Sequence, residues 1–227
     1  MNNLALAAAL ATAPTSAFAE LRERPRFWFP LLLLVASTVA VNYWYFSMVD
    51  IEWLKDTMFS NNANMNDAES AAAMGMLTRT TLLWGGMVGI IIGMPLAFLA
   101  WAVYLLLAAK VTKLPQGFKH WFAFSCWTAL PLILSTVVAA IFLLLSDNSQ
   151  VNPSLMAPLS LNSLVVHRPM GPGYAFYESM TIPGVLTWIL MIIGVRTWSQ
   201  RSWAFSSIFI VLPVVVYYGI WSTFAFR

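Results

Sequence analysis

The chain has 227 residues, of which 60% are hydrophobic and only 9% are charged, whereas a soluble domain carries about 25% charged residues. The net charge is +3, from twelve basic and nine acidic residues. The basic residues are spread along an apolar chain, which favours a role in membrane topology and argues against nucleic-acid binding. One cysteine and two histidines exclude an intrachain disulfide framework and a His-rich or Cys-based metal site.

The first nineteen residues have features of a secretory signal peptide, because an apolar stretch precedes the small-residue sequence Ala17-Phe18-Ala19. No Lys or Arg precedes that stretch, however, and cleavage after Ala19 would leave the arginines that follow on the outer side of the first span. We therefore predict that residues 1–19 stay attached as an interfacial amphipathic helical segment, interrupted at Pro14. Cleavage is the alternative.

Five long, strongly apolar stretches of the chain carry no charged residue, and a helix of about 20 apolar residues crosses a bilayer. We predict an all-α, polytopic membrane protein that forms a single membrane domain over residues 1–227. Pro95 is expected to kink the second span. The five predicted transmembrane helices cover about 27–48, 81–109, 121–145, 181–198 and 203–224. Tryptophans near their ends are typical of the headgroup level: Trp28, Trp84, Trp121, Trp198, Trp203 and Trp221.

The basic residues predict the orientation of the chain, since cytoplasmic loops are enriched in Lys and Arg. If the N-terminus is cytoplasmic, eight basic residues lie inside and four lie outside. We therefore predict a cytoplasmic N-terminus and a C-terminus outside. Basic residues at this face also attract anionic lipid headgroups or an acidic partner. The eight candidate binding residues are Arg22, Arg24, Arg26, Lys110, Lys113, Lys119, Arg196 and Arg201.

Two outer segments have patterns of their own. Residues 50–59 continue a helical pattern, and Asn66 with Glu69 resembles a capping arrangement that opens a helix into the second span. Residues 146–180 contain four prolines, yet they include a largely apolar, uncharged run over 155–166. That run is too short to cross a bilayer and predicts a re-entrant or interfacial segment between spans three and four. A lid over a cleft and an outer plug packed on the spans are the two alternatives.

Gly85, Gly89 and Gly93 form a doubled small-xxx-small pattern on one face of the second span. Because glycine has no side chain, a neighbouring helix can approach this face backbone to backbone. We predict a close helix crossing at these glycines, either within the chain or with a second copy in a homo-oligomer.

The spans lack the groups that are typical of intramembrane chemistry. Transporters and pumps place ionisable residues within their helices, and here no charged residue lies in a span core. The sequence also lacks H-E-x-x-H, G-x-S-x-G and a phosphate-cradling glycine loop. We therefore expect no enzyme activity, no catalytic residues, no metal and no cofactor.

Several short motifs are similar to those of a known membrane family. The first is the run AFAELRERP, from Ala17 to Pro25, directly before the first span. The later half has PLSLNSL at residues 158–164, IGV at 193–195 and SQRS at 199–202. Together these motifs resemble the Yip family (Ypt-interacting proteins), and the later half is more similar to its bacterial members. The resemblance implies five spans, an inside N-terminus and a bacterial cytoplasmic membrane.

The resemblance also implies a non-enzymatic integral membrane protein that acts through lipids or protein partners. In eukaryotic relatives the resemblance implies binding of prenylated Rab-type GTPases. Only about 26 residues precede the first span here, so we do not expect a substantial cytosolic region that recognises such a GTPase. We predict a scaffold or adaptor in membrane organisation or trafficking, whose partners are membrane lipids and a protein partner or a second copy. A small permease or channel for a neutral solute is the alternative.

Overall fold

The computed structural model describes residues 1–59 and 73–227, and apart from one isolated β-bridge the regular structure within these ranges is helical. Five of the described helical segments are long and apolar enough to cross a membrane. These findings confirm the predicted all-α fold with five membrane-spanning helices. In chain order, the helices with both ends among the described residues are α1 (Asn3–Thr12), α2 (Pro14–Glu23), α3 (Trp28–Met48), α4 (Ile51–Phe59), α5 (Arg79–Val111), α6 (Phe118–Thr128), α7 (Ile133–Leu144), α8 (Tyr174–Ser179), α9 (Ile182–Ser199) and α10 (Trp203–Ala225).

The spanning segments begin and end within about three residues of the predicted bounds, because the length of each apolar stretch sets the length of its helix. The third span consists of α6 and α7, which are joined by a 3₁₀ turn at Leu130–Leu132. Pro131 explains this break, since proline lacks the N–H of a regular turn and its ring clashes with the preceding turn. Pro95, where a kink is predicted, lies inside α5, which continues as one helix of 33 residues.

The chain divides into two compact units, whose boundaries fall within or beside the long helices. Unit 1 contains residues 1–35, 92–132 and 184–218, and unit 2 contains residues 36–91, 133–183 and 219–227. Each unit has a cluster of buried hydrophobic residues of its own.

Unit 1 builds its core from aromatic side chains of α6 and α9 and from the two N-terminal helices. Trp121 and Phe124 of α6 are fully buried, as is Phe18 of α2. Trp198 Nε1 donates a hydrogen bond to the Phe18 carbonyl oxygen at 2.7 Å, so α2 is tied to the end of α9. α1 and α2 form on either side of the predicted interruption, with Pro14 as the first residue of α2. Their position relative to a membrane surface stays a prediction.

Two of the tryptophans that the sequence places at the headgroup level lie in the protein interior instead. Trp121 is 0% exposed and Trp198 is 3% exposed, whereas Trp28 is 64% exposed. The ring centroids of Trp121 and Trp198 are 5.2 Å apart, and both indole N–H groups donate to backbone carbonyls. A buried indole with a satisfied N–H is stable in a core. Position at the end of a span does not distinguish such a residue from an interfacial one.

The core of unit 2 lies between the C-terminal part of α3, helix α4 and helix α7. Tyr45 is buried, and its hydroxyl donates to the Val151 carbonyl oxygen at 3.0 Å. Leu54 contributes the buried face of α4. α4 confirms the helical pattern of residues 50–59. The predicted capping arrangement at Asn66 and Glu69 lies outside the described residues.

Residues 146–180 form short helical turns. Pro153–Met156 is a 3₁₀ turn, Asn162–Val166 is a π-helical turn, and α8 follows. Two backbone hydrogen bonds tie the segment to the start of α9, from Leu161 N–H to Met180 O at 2.7 Å and from Ile182 N–H to Leu159 O at 3.0 Å. The re-entrant or interfacial position of this segment stays a prediction.

The predicted glycine face of the second span is open within the chain. A Cβ built at Gly85, Gly89 or Gly93 meets no neighbouring atom within 4 Å, so the expected intrachain crossing is absent at this face among the residues that the structure describes. The close approach occurs at Gly86, where a Cβ would lie 2.8 Å from Asn42 Oδ1 of α3. Successive helix residues point about 100° apart, so Gly86 and the triplet face different directions. A crossing between two copies stays a prediction.

Candidate functional site

The eight basic residues predicted at the inner face all belong to unit 1. Since only two acidic residues, Glu20 and Glu23, belong to the same unit, its formal net charge is +6. Unit 2 contains four basic and seven acidic residues. Folding therefore gathers positive charge from three separate parts of the chain into one unit.

Two of these eight residues, Arg196 and Arg201, line the same cleft, which has a volume of about 370 Å³. The cleft is formed by the end of α9, the start of α10 and the start of α2. The other six predicted basic residues do not line it. Its remaining lining residues are Pro14, Thr15, Ile193, Thr197, Gln200 and Trp203.

Aromatic rings hold both guanidinium groups. The guanidinium carbon of Arg196 lies 4.1 Å from the ring centroid of Trp203, and that of Arg201 lies 4.5 Å from the centroid of Phe205. Arg201 Nη2 also donates to the Thr112 carbonyl oxygen at 2.7 Å. Neither arginine forms an ion pair with a carboxylate in residues 1–59 or 73–227. Stacking on a ring leaves the N–H donors at the guanidinium edge able to bind an anion.

The turn between α9 and α10 brings the two arginines to one cleft. Gln200 has a left-handed φ of 56°, and its N–H donates to the Arg196 carbonyl oxygen at 2.9 Å, which ends α9. Ser202 Oγ then accepts the Phe205 N–H at 3.2 Å and caps the start of α10. Because the turn is short, Arg196 and Arg201 both line the cleft. The N-terminus of α10 adds partial positive charge at the same place.

The remaining predicted residues take other positions. Arg26 Nη2 pairs with Glu20 Oε1 at 3.3 Å, which partly neutralises its charge. The other five are exposed and contribute to the general positive potential of the unit: Arg22, Arg24, Lys110, Lys113 and Lys119.

The contributions of Thr15, Gln200 and Trp203 to this site are not evident from the sequence. The sequence pattern places Trp203 at the headgroup level, yet in the structure its indole ring stacks against the guanidinium group of Arg196. No sequence signal identifies this pair, because the contact depends on the left-handed residue in the turn. Within the described part of the chain, no group of three or more His, Cys, Asp or Glu side chains is arranged to hold a metal ion.

Comparison with known proteins identifies the family. The Yip1 domain matches residues 8–224 of the chain. No curated protein and no solved structure matches the chain. The matched region extends from α1 to α10 and includes both arginines of the cleft. The chain therefore belongs to the Yip1 domain family of multi-pass membrane proteins, in agreement with the resemblance to Yip proteins.

Proposed function

We propose that this protein is a non-enzymatic membrane scaffold or adaptor that binds the phosphate groups of anionic membrane lipids at its basic face, which is cytoplasmic in the predicted orientation. The observation that carries the proposal is the cleft in which two arginines stack on aromatic rings and, within residues 1–59 and 73–227, form no ion pair with a carboxylate. Family membership supports an integral membrane protein that acts through lipids and partners.

The chemistry of the cleft suits a phosphate group. Guanidinium groups bind phosphate oxygens through paired N–H donors, and the stacking holds Arg196 and Arg201 in position before the ligand arrives. The cleft lies where one spanning helix ends and the next begins, which is the level of lipid headgroups. Exposed basic residues elsewhere in unit 1 add about 1 kcal/mol each of attraction to an anionic surface. An acidic protein partner would use the same charges without requiring the cleft.

The proposal is tested with protein purified in a neutral detergent and titrated with dihexanoyl-phosphatidylglycerol below its critical micelle concentration. The variant R196Q/R201Q removes two positive charges from the cleft. The control R24Q/K113Q removes two positive charges from the same unit outside the cleft. We expect the cleft variant to bind the lipid about tenfold more weakly or worse, since hydrogen bonds to charged groups contribute about 1.5–3 kcal/mol each. The control is expected to lose less than about threefold, because dispersed lipid in neutral detergent presents no anionic surface, and charges outside the cleft act on it only through screened long-range attraction.

The two variants distinguish the competing explanations. Equal losses in both would show that total charge attracts the lipid and that the cleft has no special role. Wild-type binding in both would show that the basic residues serve only as topology signals. A reporter fused at position 113 in each variant verifies that the orientation is unchanged before binding is compared.

A further inference from the structure

Glu178 lies in α8, outside the membrane-spanning helices, and its carboxyl group is half-buried. Burial raises the pKa of Glu178, because removing water disfavours the charged form. Hydrogen-bond donors around it act in the opposite direction. Asn162, which is 2% exposed, donates from Nδ2 to Glu178 Oε1 at 3.1 Å, and the hydroxyl groups of Ser160 and Tyr174 also favour the carboxylate.

No cation balances this carboxylate among residues 1–59 and 73–227. None of the ion pairs formed there involves Glu178. The guanidinium carbon of Arg168 lies 5.7 Å from the ring centroid of Phe226 instead. The donors that contact Glu178 are neutral, so they orient the carboxylate without compensating its charge. Neutral donors offset only part of the cost of burying a carboxylate, so a positively charged ligand would stabilise Glu178 further.

Glu178 is part of the wall of an open groove of about 490 Å³ in unit 2. Three aromatic rings and two thioethers make the rest of this wall largely apolar, and among the described residues that line the groove Glu178 alone is charged. Aromatic faces attract cations through their ring quadrupole. The wall of the groove includes Tyr45, Phe46, Met156, Met170, Tyr174 and Glu178.

The order of the spans indicates that the groove is at the level of lipid headgroups. Tyr45 and Phe46 are in the last turn of α3, the first span, and Glu178 lies directly before α9, the fourth span. In a five-span chain the end of the first span and the start of the fourth are on the same side of the membrane, whichever orientation the chain takes. The carboxylate is therefore near the depth at which phospholipid head groups are found.

We propose that this groove binds the ammonium head group of a zwitterionic phospholipid of the phosphatidylethanolamine type, with Glu178 as its counter-ion. The uncompensated negative charge selects a cation, the rings of Tyr45, Phe46 and Tyr174 contact its positive end, and the apolar wall contacts the glycerol and the first acyl carbons. A lipid fits better than a small soluble amine, because the groove is open and mostly apolar. This site lies in unit 2 and does not depend on the function proposed for the basic face.

The test is calorimetric titration of the full-length protein in neutral detergent with dihexanoyl-phosphatidylethanolamine and with its N-acetylated derivative, which lacks the ammonium charge. We expect the wild type to bind the amine form about tenfold more tightly than the N-acetylated form, corresponding to about 1.4 kcal/mol. In E178Q this preference is expected to disappear. The control D147N removes an exposed carboxylate from the same outer segment and is expected to keep the preference.

A second variant tests the site even if E178Q does not fold. A175W keeps the carboxylate but fills the groove from an exposed position on α8, and it is expected to lose binding of the amine lipid. Preference for the amine form in E178Q equal to that of the wild type, or undiminished binding to A175W, would overturn the proposal. Competition by free ethanolamine at the concentration of the lipid would overturn the assignment of a lipid as the occupant.

Discussion

Replacing Gly194 with alanine is expected to destabilise unit 1, because the added methyl group has no room. A Cβ at Gly194 would lie 2.3 Å from Phe124 Cε2 and 2.9 Å from Phe18 Cε1, whereas ordinary van der Waals contact lies at 3.4–4 Å. Both rings are fully buried. The Phe124 ring would therefore have to move by about 1 Å or more within a close-packed interior.

The rings around Phe124 resist that movement. Its centroid lies 4.9 Å from that of Trp198 and 5.5 Å from that of Trp121. Overpacking of this kind costs about 1–3 kcal/mol, while replacing glycine with alanine inside a helix contributes up to about 1 kcal/mol of stability. The expected net loss in the free energy of unfolding is about 1–2 kcal/mol, which lowers the Tm by about 2–8 °C in a chain of this size.

Thermal unfolding in detergent, followed by tryptophan fluorescence, measures this effect. The matched control is G219A, since a Cβ at Gly219 in α10 meets no atom within 4 Å; its Tm is expected to stay constant or rise. The double variant G194A/F124L makes space for the methyl group and is expected to recover part of the loss, as coupled neighbours do. A Tm for G194A equal to that of G219A would refute the claim that these rings require glycine at position 194.

Three other predictions concern topology, processing and packing. Reporter fusions at Lys113 and after Arg227 are expected in opposite compartments, with Lys113 cytoplasmic; one compartment for both would contradict the five-span order. The intact mass of the native protein is expected to include residues 1–19, and a mass short by those residues would show cleavage. Gly86→Leu is expected to lower thermal stability because its side chain meets Asn42, whereas Gly89→Leu is expected to change only oligomer size; equal losses of stability would contradict this packing.

The spanning helices could be predicted from the sequence because one quantity, the length of an uncharged apolar stretch, determines them. The segment Trp28–Met48 and the segment Trp203–Ala225 end within a residue or two of the predicted bounds. The break at Pro131 follows from the chemistry of proline, although Pro95 in α5 shows that a proline in a spanning helix does not always interrupt it. Apolar length alone does not separate these two cases.

The candidate site could be predicted only as a set of charges. The sequence identifies Arg196 and Arg201 among eight basic residues, but their shared cleft depends on the left-handed Gln200 and on the ring of Trp203. The sequence also does not predict which face of α5 packs against α3. The glycine pattern pointed to one face of α5, while the close approach to α3 occurs at Gly86, which that pattern does not include.

The N-terminal helices relate the retention of residues 1–19 to the anion-binding cleft, because residues that would be lost on cleavage form part of the cleft. Pro14 and Thr15 form part of the wall of the cleft. The Phe18 carbonyl oxygen accepts the indole N–H of Trp198, which lies in the same helix as the first cleft arginine. Cleavage after Ala19 would remove that wall and leave a buried indole N–H without its acceptor, which costs about 1–3 kcal/mol. The cleft as described therefore requires a protein that keeps its first nineteen residues.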